Sequence, residues 1–118
     1  MANEVDEDFS IQVRMIGDIY NLMNRIEYYE SAANNESYEQ KKREVATKQL
    51  GFLQQDLEGY KMFMRNSNSR MTKIVYYKYI EGFTLEEVAE QIGMHPNNVR
   101  AIHPKFSRYL KSEGLNYE

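Results

Sequence analysis

The chain contains no cysteine and no tryptophan, and it has only two prolines in 118 residues. Without cysteine it forms no disulfide bond and no thiolate metal site, and two histidines without a nearby carboxylate pair leave little from which to build a metal centre. We therefore expect no metal and no other cofactor. Because Pro96 and Pro104 both lie near the end, the first 90 residues contain no rigid helix breaker. This distribution favours an all-helical fold.

Long apolar runs are also missing, since no stretch approaches the roughly 20 residues that a membrane-spanning helix needs. Residues 1–8 are acidic and polar, whereas a secretory signal begins with basic residues and continues into an apolar stretch. The sequence predicts an acidic flexible tail over residues 1–8, a cytoplasmic location and no membrane partner. It has no phosphate-cradling glycine loop and no nucleophile with a histidine base, so we do not expect an enzyme.

Acidic residues exceed basic ones by three over the whole chain, but the excess is uneven. Residues 1–60 carry twelve acidic and six basic side chains, while residues 61–118 carry six acidic and nine basic ones. Within residues 95–113 basic side chains outnumber acidic ones by four to one. Positive potential is therefore concentrated near the end of the chain, where a phosphate backbone could use it.

Two long helices are predicted between residues 9 and 65. The first has apolar residues at helical spacing, at Phe9, Val13, Ile16, Tyr20, Met23 and Ile26. The polar segment 31–37 predicts a turn, and Ser37 followed by Gln40 is a capping-box pattern that starts a second helix. The second stripe consists of Ala46, Leu50, Leu53, Leu57, Tyr60 and Met64. We expect an antiparallel helical hairpin over residues 9–65 that forms a homodimer or binds a partner protein.

Residues 70–113 have the pattern of a helix-turn-helix module. Thr84 with Glu87 three residues later is a capping box, so a short helix begins at Leu85. Gly93 supplies the positive φ that ends this helix, and Pro96 suits the first position of the next one. Two short helices joined by a glycine turn form a unit whose second helix can enter a DNA major groove. The predicted fold is all-α, with the hairpin followed by this C-terminal module.

The run from residue 76 to residue 100, YYKYIEGFTLEEVAEQIGMHPNNVR, resembles the promoter-reading C-terminal domain (region 4) of bacterial sigma factors. It also resembles the sigma-like phage transcriptional regulators of the ArpU and RinA kind. The shared features are an aromatic-rich helix, a Glu-Gly break, a Thr-Leu-Glu-Glu start and a turn in which glycine precedes an apolar residue. The likeness covers roughly the last 45 residues, and it implies a recognition helix that contacts bases in double-stranded DNA.

The resemblance places the base-contacting residues at His95, Asn97, Asn98 and Arg100. Asparagine reads adenine and arginine reads guanine through paired hydrogen bonds, so Asn97 and Arg100 are the leading candidates. The candidates for phosphate contact are Lys105, Arg108 and Lys111, flanked by Arg70, Lys73 and the helix-capping Thr84. The alternative for all of them is an ordinary solvated surface, with Thr84 and Asn98 serving only as caps.

Two features depart from the family pattern. His95 stands where these families usually have serine or a similar cap, and His103 with Pro104 interrupts what is elsewhere a continuous basic helix. Because proline in a helix interior costs about 3 kcal/mol, we expect the recognition helix to stop or kink near Ile102 and a further helix to start at Pro104. The neighbouring cluster of Tyr76, Tyr77 and Tyr79 suggests stacking on single-stranded bases, but a role in the core is the simpler interpretation.

The sequence therefore predicts a sequence-specific, DNA-binding transcription regulator of bacterial or phage type. One alternative is a protein-interaction factor that acts on RNA polymerase or another partner, with the helix-turn-helix as a scaffold. Another is a phage DNA-packaging accessory that uses the same module on a different site.

Overall fold

The computed structural model describes residues 9–117, and the predicted acidic tail lies outside the described residues. Within that range every regular element is helical. The helices are α1 (Ser10–Ala33), α2 (Gln40–Arg65), α3 (Arg70–Val75), α4 (Leu85–Ile92) and α5 (Pro96–Ser112), and a π-helical turn (Tyr76–Ile80) continues α3. The predicted all-α class is confirmed.

The chain separates into two compact units. Residues 17–64 form the first, which we call the hairpin unit. Residues 9–16 together with residues 65–117 form the second, which we call the C-terminal unit. Helix α1 contributes its first turns to the C-terminal unit and the remainder to the hairpin unit.

The hairpin unit consists of two antiparallel helices, as the apolar spacing predicts. Its buried side chains include Ile19 from α1 and Ala46, Leu53 and Met64 from α2. The Tyr60 hydroxyl donates a hydrogen bond to the Asp18 carboxylate over 2.9 Å, which links the two helices at their polar edge. Burial of one apolar face on each helix is the main source of stability for such a pair.

The capping box predicted at Ser37 is wrong. The Ser37 hydroxyl donates to Asn35 Oδ1 at 2.6 Å, and the same oxygen accepts the Ser37 backbone N–H at 3.0 Å. Asn35 therefore engages Ser37 in a local turn, and α2 begins only at Gln40. The Gln40 side chain donates forward to Glu44 at 3.2 Å instead of reaching back to a cap. The Ser37 hydroxyl therefore forms a local hydrogen bond with Asn35 instead of capping the helix.

The C-terminal unit is built on a small aliphatic core. Ile74 of α3, Val88 and Ala89 of α4 and Val99 of α5 are all fully buried in one cluster. Partly buried apolar side chains pack around it, namely Tyr77, Phe83, Leu85, Ile92, Met94 and Ile102. Ala89 has only a methyl group at the point where α4 meets α5, so the two helices approach closely.

An aromatic cluster forms a second part of this unit. The Phe9 ring lies 5.6 Å from the rings of both Phe106 and Tyr109, in edge-to-face geometry. Tyr79 packs 5.4 Å from Phe106, and its hydroxyl lies 2.8 Å from His103 Nε2. The sequence spacing groups Phe9 with the hairpin stripe, but its ring contacts lie with α5, because the aromatic side chains there offer a better-matched surface.

The tyrosine cluster belongs to the core. Tyr76 is fully buried, Tyr79 is 8% exposed, and Tyr77 stacks on Phe83 with 5.5 Å between ring centroids. Arg65 Nη1 donates to the Tyr76 hydroxyl at 3.0 Å. Burial raises the pKa of Tyr76, and the hydrogen bond from Arg65 opposes that rise only in part.

Candidate nucleic-acid interface

The turn between α4 and α5 has the conformation that the sequence predicts. Gly93 has a φ of 72° in the left-handed region, and the Met94 backbone N–H donates to the Ala89 carbonyl at 2.9 Å. At the other end of α4, Thr84 and Glu87 exchange the two hydrogen bonds of a capping box, at 3.1 and 2.8 Å. The short helix is therefore fixed at both ends by its own sequence.

Helix α5 begins with an unusual cap. Pro96 occupies the first turn, where its missing N–H costs nothing, and His95 Nδ1 accepts the Asn97 backbone N–H at 3.1 Å. The imidazole thus performs the capping role that a serine, threonine, asparagine or aspartate side chain more often performs at the start of a helix. While His95 caps the helix in this way, its side chain remains exposed to solvent.

Pro104 does not end α5. The helix continues through it to Ser112, so the predicted stop near Ile102 and the separate helix from Pro104 are wrong. The residues on the inner side of this stretch are Val99, Phe106 and Leu110, and all three are buried. Their packing outweighs the loss of the backbone hydrogen bond that proline cannot donate. Pro104 itself is exposed, so the break in the hydrogen-bond pattern lies on the solvent side of the helix.

The outer face of α5 is polar and exposed along its whole length. Its exposed side chains include Asn97, Asn98, Arg100, Ala101, Lys105, Arg108 and Lys111. Helical periodicity separates these positions from the buried Val99 and Phe106. From Pro96 to Ser112 the helix carries four basic residues and no acidic one. The sequence-predicted base and phosphate candidates on this helix therefore share one accessible face.

Arg100 has one side-chain partner on α4 and one on α5. Its Nη1 donates to Asn97 Oδ1 at 2.9 Å, and its Nη2 forms an ion pair with the Glu86 carboxylate of α4. The hydrogen bond from Arg100 is the main reason why the pKa of Glu86 lies below its ordinary value. All three side chains remain exposed to solvent. Glu86 is not among the sequence-predicted site residues, and the only signal for it in the sequence is an acidic residue in the first turn of α4.

The remaining phosphate candidates lie on α3 and at the start of α4. Arg70 is exposed at the first position of α3, and Lys73 is partly buried one turn later. The Thr84 hydroxyl is used in the capping box, and α4 carries Glu86 and Glu87 in its first turn. Negative charge at that helix end is unfavourable for a phosphate, so the geometry supports Thr84 as a cap.

Within residues 9–117, no group of three or more histidine, aspartate or glutamate side chains is placed to hold a metal ion. Across the same residues, no helix combines the length and apolar character needed to cross a bilayer.

No protein-family model matches the chain, and no curated protein or solved structure proves significantly similar to it. The site must therefore be interpreted from its own chemistry.

Proposed function

We propose that the chain is a sequence-specific DNA-binding transcription regulator without enzymatic activity, and that α5 enters the major groove of duplex DNA. The observation that supports this most is the exposed outer face of α5. Four basic side chains lie there without an acidic residue on the same helix. A helix with one buried and one cationic face suits a groove lined by phosphates.

The two halves of α5 have different chemistry. Asn97 and Arg100 lie in its first turn and a half, and both have the donor groups that read base edges. Lys105, Arg108 and Lys111 follow at intervals of three residues, and all three are exposed cations of the type that contacts phosphates. We therefore assign base reading to the start of the helix and phosphate binding to its remainder.

Glu86 is a positioning residue in this proposal. A guanidinium has five N–H donors, and the contacts with Asn97 and Glu86 leave donors unused. Glu86 thus orients Arg100 without saturating it. Its charge also repels phosphates, so Glu86→Gln is expected to strengthen binding to any duplex while weakening discrimination between duplexes.

The first experiment is selection of bound sequences from a random duplex library by the purified full chain. The wild type is expected to enrich one sequence family. Arg100→Ala is expected to reduce that preference by about fivefold to 150-fold, since a paired base contact contributes about 1–3 kcal/mol. Arg25→Ala removes the same charge from an exposed position of the hairpin unit and serves as the matched control. Equal enrichment by Arg100→Ala and wild type would remove Arg100 from the site.

Salt dependence tests the phosphate assignment separately. Each lost phosphate contact reduces the slope of log affinity against log salt by about 0.9. Lys105→Ala, Arg108→Ala and Lys111→Ala are each expected to show this reduction, whereas Arg25→Ala is not. Affinity that stays constant between low and high salt would contradict DNA binding altogether.

A second candidate function is protein interaction, with RNA polymerase or another protein as the target. It is favoured by the exposed acidic side chains of α4, Glu86, Glu87 and Glu90, which lie on the helix next to α5. This candidate predicts no salt-dependent affinity for any duplex, so the same titration separates the two. A DNA-packaging role would use the same face of α5 and would differ only in the sequences that selection recovers.

A further inference from the structure

Helix α2 exposes an apolar line that the hairpin does not cover. Val45 is 53% exposed, Phe52 61% and Phe63 64%. At 3.6 residues per turn these three residues and Gly59 lie along one side of the helix, turned away from the buried Ala46, Leu53 and Met64. We call Val45, Phe52, Gly59 and Phe63 the α2 line. Exposed phenylalanine repeated along one helix face is typical of a surface that another helix covers.

The charges beside the α2 line are arranged symmetrically about Phe52. Lys48 precedes Phe52 by four residues and Asp56 follows it by four, so each lies one helical turn from the ring. Neither charge has an ion-pair partner among the residues that the structure describes. A second α2 running antiparallel brings Lys48 to the level of Asp56 in the other copy, twice. A parallel copy would place lysine beside lysine and aspartate beside aspartate.

Gly59 supplies an independent observation. Glycine inside a helix costs about 1 kcal/mol relative to alanine, and a Cβ built on Gly59 would meet no atom of this chain within 4 Å. Nothing within the described chain therefore requires glycine at this position. In the antiparallel arrangement centred on Phe52, residue 59 lies opposite Val45 of the other copy, and the missing side chain leaves room for that valine.

We propose that two copies of the chain associate through α2, antiparallel and about a two-fold axis at Phe52. The symmetric contact is self-complementary, with ring against ring at its centre, two Lys48–Asp56 pairs beside it and Val45 over Gly59 further out. In this register Phe63 lies level with Lys41 of the other copy, so the apolar contact comes from the two Phe52 rings and the two Val45 side chains. That area is small, and the association is therefore weak. This inference is independent of duplex binding, since its test requires no DNA.

The first test is sedimentation equilibrium of the full chain from about 1 μM to about 1 mM. A reversible monomer–dimer equilibrium is expected, and Phe52→Glu is expected to raise its dissociation constant by at least about tenfold, because it buries two like charges at the axis. Tyr28→Glu, at a position of α1 that is 62% exposed, is the matched control and is expected to leave the equilibrium unchanged. A chain that stays monomeric throughout, or a dimer that tolerates Phe52→Glu, would overturn the proposal.

Charge reversal tests the register. Lys48→Asp and Asp56→Lys are each expected to weaken the dimer several-fold, because each creates two like-charge contacts. The chain that carries both substitutions restores the opposite-charge pairs and is expected to dimerise like the wild type. Absence of this rescue, with the helical content of all variants unchanged, would refute the antiparallel register. Gly59→Leu tests the contact between Val45 and Gly59. It is expected to stabilise the helix within one chain and to weaken the dimer.

Discussion

The two units of this protein use charge and apolar surface in opposite ways. The described part of the C-terminal unit carries nine basic and five acidic side chains, whereas the hairpin unit carries eight acidic and six basic ones. The C-terminal unit places aromatic rings such as Tyr76 and Phe106 inside its core, while the hairpin unit leaves Phe52 and Phe63 exposed. The two proposals account for this difference: in them the C-terminal unit binds a polyanion, and the hairpin unit binds the apolar face of a second helix.

The strongest test of this contrast is the same substitution in each unit. Phe106→Ala removes a fully buried ring that contacts Phe9 and Tyr79, and we expect it to lower the free energy of unfolding by about 3–5 kcal/mol. Phe52→Ala removes an exposed ring and is expected to change the free energy of unfolding by no more than about 0.5 kcal/mol, at concentrations well below those at which the proposed dimer forms. Urea denaturation of both variants provides the measurement, and similar losses would contradict the division into buried and exposed rings.

Pro104 offers the next largest effect. Because α5 runs through this proline, Pro104→Ala restores a backbone N–H in the helix interior and is expected to stabilise the C-terminal unit by about 1–3 kcal/mol. Pro96→Ala is the matched control, since at the first position of the helix it is expected to cost about 0.5–1 kcal/mol through the unfolded state. A loss of stability in Pro104→Ala, measured by thermal unfolding, would show that the proline is required by its surroundings.

Replacing glycine by alanine is expected to change the free energy of unfolding in opposite directions in the two units. Gly93 has a positive φ, so Gly93→Ala is expected to cost about 1–2 kcal/mol and Gly93→Val more, although an added Cβ would meet no other atom within 4 Å. Gly51 lies inside α2 with open space around it, so Gly51→Ala is expected to stabilise by about 0.5–1 kcal/mol. Paired melting curves decide this, and an unchanged melting temperature in Gly93→Val would refute the turn.

The smallest effect concerns alkaline pH. The pKa of Tyr76 is raised in the folded state, so the folded protein retains the phenolic proton where the unfolded chain has lost it. The resulting stability is fully present below pH 10, the ordinary pKa, and is lost as the pH rises through the folded-state value. Tyr76→Phe is expected to flatten this alkaline loss and, at neutral pH, to cost about 1 kcal/mol for the hydrogen bond with Arg65. Identical alkaline profiles in both proteins would contradict the burial effect.

The parts of the fold that sequence analysis predicts correctly depend on neighbouring residues. Gly93, Thr84 with Glu87, and Pro96 each act through backbone conformation or through hydrogen bonds within one turn. These features can be predicted from the sequence because their partners lie within three or four residues. They are sufficient to predict the α4–α5 pair and the exposed face of α5.

The parts that sequence analysis misses depend on residues far apart in the chain. The Glu86–Arg100 pair joins residues 14 positions apart on two helices, and Phe9 meets Phe106 almost a full chain length away. The cost of Pro104 in a helix can be predicted from the sequence, because it depends only on the neighbouring turn. The packing of Phe106 and Leu110 that offsets this cost cannot be predicted in that way. At Ser37 two local patterns compete, and spacing alone does not decide between them.

The discontinuity of the C-terminal unit has a practical consequence. Gln12 Nε2 donates to Thr72 Oγ1 over 3.1 Å, although the two residues lie 60 positions apart in the sequence, and Phe9 covers Phe106 and Tyr109. A fragment that begins at residue 65 would retain all of α5 yet leave those rings bare to water, inviting aggregation. Excision at the loop before α3 therefore does not yield a complete C-terminal unit, and a circular permutation that joins residues 9–16 to the other terminus is the rational way to isolate that unit.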